Sequence, residues 1–157
     1  MKIAMELLDV KYDLGTEQNK RRISNIEGFA SLIKELKERE LTEEVIEVLN
    51  KHIELINSLS GNIKKLNRQV SKSKLIIFQT LDRKMRIVPK NAYRNRWLAI
   101  GMVVFGMPMG AAYGVSMGNM AFIGVGIPIG MVFGMAIGAR MDKKAAKEGR
   151  QLKFEVS

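Results

Sequence analysis

Lys64, Lys65, Arg68, Lys72 and Lys74 are the residues of this chain best suited by type and spacing to hold a ligand. Closely spaced ammonium and guanidinium groups neutralise phosphates, so the cluster points to a polyanion such as a nucleotide or a single-stranded oligonucleotide. It belongs to a wider basic band, 61–96, in which eleven Lys/Arg face one acid, Asp82, for a net of +10. Residues 1–60 are net −3, and 97–157 are net +3. Three uses of such a band compete: attraction to anionic lipid, a polyanion site, and a vestibule that concentrates anions at a pore mouth. Lys90, Arg94 and Arg96 suit lipid, while 64–74 lie farther back than lipid contact needs.

Other chemistry is sparse. His52 is the single histidine, set beside Lys51 with no recognisable nucleophile or metal partner. Cysteine is absent, which removes disulfides, thiolate catalysis and zinc–thiolate sites. The run Gly124-Val-Gly126-Ile-Pro-Ile-Gly130 has neither the lysine nor the strand–turn–helix setting of a phosphate loop. The expectation is a protein that is not an enzyme and carries no cofactor or metal.

The elements that would position the cluster divide sharply. Residues 97–139 hold no charged side chain, the mark of membrane-spanning sequence. Trp97 to Met117 would extend roughly 30 Å as a helix, the thickness of a hydrocarbon core. Gly118-Asn119 reads as a turn, and 120–139 as a second span. Arg94 and Arg96 precede the pair, and Arg140, Lys143, Lys144 and Lys147 follow it. Positive flanks stay inside, so both termini are expected in the cytoplasm of a bacterial inner membrane, with Trp97 as an interfacial anchor. The N-terminus does not read as a signal peptide, because Glu6, Asp9 and Asp13 interrupt it.

The two spans repeat at an offset of 20: 106–118, GMPMGAAYGVSMG, matches 126–138, GIPIGMVFGMAIG. Glycine recurs at every fourth place, as Gly106, Gly110, Gly114 and Gly118, then Gly126, Gly130, Gly134 and Gly138. In lipid, close backbone approach drives helix association, and glycine permits the closest. The stripes serve either a hairpin packed on itself or, as the favoured expectation, contacts between copies in a homo-oligomer. Pro108 and Pro128 fall near mid-bilayer; they form a hinge or constriction, or are simply tolerated there.

The polar half reads as helices. Thr16 is expected to cap one running to about Arg39, with Ile23, Ile26, Ala30, Ile33 and Leu36 on its apolar face. Thr42 is expected to cap the next, with Leu41 stapled onto Ile46. An apolar stripe then runs from Ile46 through Leu49, Ile53, Ile56, Leu59, Ile63 and Leu66 to Val70, with Ser60-Gly61 breaking or merely weakening the helix. Residues 74–88 read as helix continuing toward Pro89, with a short strand as the alternative. With one apolar face each, these helices read as having too few partners within the chain, and the oligomer that packs the glycine stripes could also pack these faces.

The stretch from Trp97 to Leu152, with its GxxxG runs and the basic tail GMVFGMAIGARMDKKAAKEGRQL, resembles bacterial glycine-zipper family membrane proteins. The plan as a whole looks like the small membrane effectors of antiphage systems, such as the Hailong channels. That resemblance implies a helical cytosolic turret over a membrane channel opened by an oligonucleotide. The resulting expectation is an all-α, homo-oligomeric channel. Residues 1–90 form a cytosolic gating collar, 97–139 the pore hairpin, and 140–157 a basic cytosolic tail. The alternative is a non-conducting anchor that holds a basic helical module at the lipid surface.

Overall fold

A computed structural model describes residues 6–12, 19–59 and 62–155. The chain divides into two compact units, Met1–Ile87 and Val88–Ser157. Among the described residues the fold is all-α apart from one short pair of strands.

The N-terminal unit packs three helices, α1 Lys20–Lys37, α2 Glu43–Asn57 and α3 Ile63–Met85. Thr16 lies outside the described residues. Asn19 caps α1, its side chain accepting from the Arg21 and Arg22 N–H groups at 3.1 and 3.3 Å. Thr42 stands at the N-cap of α2, but its hydroxyl makes no capping bond. The stripe expected to continue from Ile46 to Val70 is interrupted, because α2 ends at Asn57 and α3 begins at Ile63. Asn62 starts α3 by accepting from the Lys65 N–H at 3.1 Å. Residues 74–85 are helical, and α3 stops where Arg86 turns into the left-handed region at φ 54°.

The apolar faces close on one another within a single chain. Ile26, Phe29, Leu32 and Leu36 of α1, Leu49, Ile53 and Ile56 of α2, and Leu66, Ile77 and Leu81 of α3 are buried. Packing between subunits is therefore not needed to cover them, contrary to the sequence-based expectation. Folding α3 back along α1 and α2 supplies the partners that a linear reading of single amphipathic faces cannot see.

The C-terminal unit begins with β1 Val88–Lys90, followed by α4 Ala92–Gly101, a π-turn Met102–Gly106 and α5 Met107–Ser116. A 3₁₀ turn, Met120–Phe122, leads into α6 Ile123–Lys147, and β2 Gln151–Glu155 pairs in parallel with β1. The expected spans thus run longer, from Ala92 to Ser116 and from Met120 to Lys147. The stretch expected as a plain tail, 140–157, is structured where it is described: 140–147 complete α6, and Gln151–Glu155 return as β2. The expected collar boundary at residue 90 also shifts, since 88–90 belong to the second unit.

Candidate membrane hairpin and basic helix face

Both long helices of the C-terminal unit are apolar and long enough to cross a membrane. Only 22% and 17% of their most apolar windows are buried, whereas the core helix of a water-soluble fold is mostly covered. Val103, Val115, Met117, Val132 and Phe133 are each more than half exposed. Such a shell is costly in water and costless against lipid tails.

The glycines face inward, helix against helix. Gly106, Gly110 and Gly114 of the first arm and Gly126, Gly130, Gly134 and Gly138 of the second are all buried. A β-carbon on Gly130 would lie 2.7 Å from the Gly106 Cα, and one on Gly126 2.7 Å from the Gly110 Cα. No side chain larger than hydrogen fits there without separating the backbones.

Gly118 does not belong to this stripe. It sits in the turn at φ +64°, with nothing within 4 Å of a β-carbon placed on it. Its role is conformational, since a left-handed position favours glycine. Asn119 closes the turn, its N–H donating to the Gly114 carbonyl at 2.9 Å and its side chain accepting from the Ala121 N–H at 2.9 Å.

Gly101 takes the remaining place in the zipper, opposite Gly130 and Gly134. Its spacing of five from Gly106 would turn it off the stripe in a regular α-helix. The π-turn absorbs the extra residue and restores the register, with the Met107 N–H bonding to the Met102 carbonyl. Pro108 follows directly. A proline there would otherwise crowd the carbonyl of Val104, and the wider π-turn accommodates it. The cue in the sequence was a fifth glycine out of step just upstream of a proline. Both Pro108 and Pro128 are exposed on the outer surface of the hairpin, so they do not narrow any passage between its two helices.

The end opposite the turn is basic. Arg94, Arg96, Arg140, Lys143, Lys144 and Lys147 are all exposed there, and Trp97 is half-buried one turn farther along α4. Asp142 is the exception and is buried. Its carboxylate accepts from the Tyr93 and Arg94 N–H groups at 3.2 and 2.9 Å, capping α4 from α6. An acid set directly between Arg140 and Lys143 was the available signal. Asp142→Ala should cost about 1–2 kcal/mol through the lost cap, read as a lower melting temperature of the detergent-solubilised chain.

In the N-terminal unit, Lys64, Lys65, Arg68 and Lys72 are exposed along one side of α3, opposite its buried Leu66, Val70, Ile77 and Leu81. A helical wheel at 100° per residue places the four within about 100° of arc, so one extended anion could meet them all. Arg83 continues this face, beyond the exposed Leu75 and Ile76.

Lys74 departs from the group. Its ammonium donates to the carbonyl and to Oδ1 of Asn25 at 2.8 Å each, in a polar cluster where Asn25 Nδ2 also donates to Asn67 Oδ1 at 2.8 Å and Ser71 Oγ at 3.0 Å. Its place is a seam between α1 and α3 rather than the ligand face, a correction to the expected set. Burial pushes the Lys74 ammonium down to about 8. His52 is buried too, its Nδ1 3.0 Å from Ser73 Oγ, and burial chiefly, with Lys51 second, pushes its pKa below the usual 6.5.

Both shifts have the same sign in stability. In each case the unfolded chain holds protons that the folded chain has given up. Stability should therefore fall as the pH drops below about 6.5, through His52, and rise as the pH climbs from about 8 toward 10.5, through Lys74. Melting curves of the full chain across pH 5–10 check this. His52→Gln should flatten the acid limb, and Lys74→Met the alkaline one.

Comparison with protein-family models, with curated proteins and with solved structures gives no match for this chain.

Proposed function

We propose that this chain is a membrane-anchored module. It presents the basic face of α3 on the cytoplasmic side of a bacterial inner membrane and captures a polyanion there, a nucleotide or a single-stranded oligonucleotide. The observation that carries the reading is the alignment of Lys64, Lys65, Arg68 and Lys72 on one exposed helix face, in a chain whose other unit is a lipid-compatible hairpin. The hairpin packs its glycines internally, so it needs no second copy to be a complete anchor. The basic end opposite the turn supports an orientation with both termini inside.

A second reading is the homo-oligomeric channel, an antiphage effector opened by the same polyanion. It draws support from the outer surface of the hairpin. Tyr113, Ser116, Pro108 and Pro128 are exposed there, and a ring of hairpins could turn them toward a pore.

Two measurements test these readings. Single cysteines at Asn119 and Lys144 should label from opposite sides of the membrane; labelling of both from the cytoplasm refutes the spanning hairpin. Liposomes holding the purified chain should keep an entrapped dye when a single-stranded oligonucleotide is added. Release that depends on the oligonucleotide would establish the channel over the anchor.

A further inference from the structure

Residues 6–12 form a strap of irregular backbone, outside any helix or strand. Two asparagines of α2 hold its main chain. Asn50 accepts from the Leu8 N–H at 2.9 Å and donates to the Glu6 carbonyl at 2.9 Å. Asn57 accepts from the Lys11 N–H at 2.7 Å and donates to the Asp9 carbonyl at 3.0 Å. Each amide thus pairs with a carbonyl and with the N–H two residues later. The repeat is geometrically matched: seven residues of helix rise about 10 Å, and three residues of extended chain cover about 10 Å.

Side chains add selection to this backbone clamp. Leu7 is buried beside Leu36, Leu41 and Ile46, and a cavity of about 240 Å³ remains next to it. The Asp9 carboxylate pairs with the Lys37 ammonium at 2.7 Å. The groove therefore fits an extended peptide with an apolar residue followed, two places on, by an acid. Among the described residues, one buried side chain, four exposed main-chain hydrogen bonds and the exposed Asp9–Lys37 pair close it, a contact set open to exchange.

We propose that the groove between α1 and α2 also receives residues 6–12 of a second copy of this chain, so that neighbouring copies exchange straps. A second copy carries the same Leu7, Asp9 and main-chain groups, and every contact made within one chain can be remade between two. Copies anchored in one membrane, on the reading above, share a plane and so meet at raised effective concentration. Exchange also links copies without the glycine stripes, which the hairpin already uses.

The chain has no cysteine, so introduced ones report cleanly. Full-length Asp9→Cys and Lys37→Cys chains, with different tags, are co-expressed and treated with a short bismaleimide. The Asp9–Lys37 pair is exposed, so these changes leave Leu7 and both asparagines in place. The expected result is a cross-linked dimer carrying both tags. It should fall at least tenfold when Asn50→Ala and Asn57→Ala are added to the Lys37→Cys chain, and a synthetic peptide of residues 6–12 should compete it away. The single chain with both cysteines reports the strap in its own groove. Full cross-linking there with none between copies overturns exchange, as does an inter-copy cross-link indifferent to the asparagines. Absence of both cross-links overturns the seated strap itself. The readout does not depend on bilayer orientation or polyanion capture, so it stands apart from the tests of those.

Discussion

Replacing Gly130 with leucine is expected to separate the two long apolar helices, whereas the same change at Gly124 leaves them together. A β-carbon on Gly130 meets the backbone of Gly101 and Gly106, and backbone cannot rotate aside as a side chain can. One on Gly124 meets nothing within 4 Å. Overpacking a well-packed interior costs about 1–3 kcal/mol. Here the upper end applies, because backbone blocks the site and the glycine face is the contact surface between the arms. About 3 kcal/mol lowers the melting temperature of a chain this size by roughly 6–12 °C. Gly110→Leu should behave in the same way, its β-carbon lying 2.8 Å from the Ile123 Cα. If Gly130→Leu leaves melting unchanged while altering particle size in detergent, the stripe serves contacts between copies instead.

Changing Lys64, Lys65, Arg68 and Lys72 together to glutamine should abolish most oligonucleotide capture while leaving the fold intact. All four are exposed, and glutamine is nearly as good a helix former as lysine or arginine. Each phosphate contact on a single strand contributes about 0.7 to the slope of log affinity against log salt, so losing four flattens it by about 3. At near-physiological salt the affinity should drop by at least about a hundredfold. Lys34→Gln, on the exposed side of α1, is the control and should change little. Lys74→Gln should act differently, disturbing the α1–α3 seam and the melting curve more than capture. Fluorescence anisotropy with a labelled oligonucleotide at several salt concentrations separates the two effects. Equal binding by the fourfold variant would remove the basis of the proposed function.

Much of this architecture is legible in the linear chain, because it depends on composition and period. An uncharged run of membrane length with basic flanks identifies a candidate spanning pair whatever its neighbours do. Apolar residues at helical spacing mark α1, α2 and α3, and the α2 boundary falls at Thr42 as expected. The exposed basic face is legible for the same reason: charges placed opposite an apolar stripe have nowhere to go but out.

The rest depends on which surfaces meet, and no local pattern carries that. A glycine stripe looks the same whether it faces its own partner helix or another copy; only the turn at Gly118 and the π-turn at 102–106 bring the two stripes into register within one hairpin. Lys74 stands about 160° from Lys72 on the helical wheel, beside the buried Val70 and Leu81, so the period alone takes it off the basic face. Its partner is what the folded chain decides: α3 places Asn25 of α1 within reach of its ammonium. Asn50 and Asn57 look like ordinary helix-surface residues until residues 6–12 lie across them. Helix identity and membrane length follow from short-range periodicity and hydropathy, which each segment carries alone. Partner choice follows from close packing and hydrogen-bond satisfaction between segments distant in sequence, which exist only once the chain has folded.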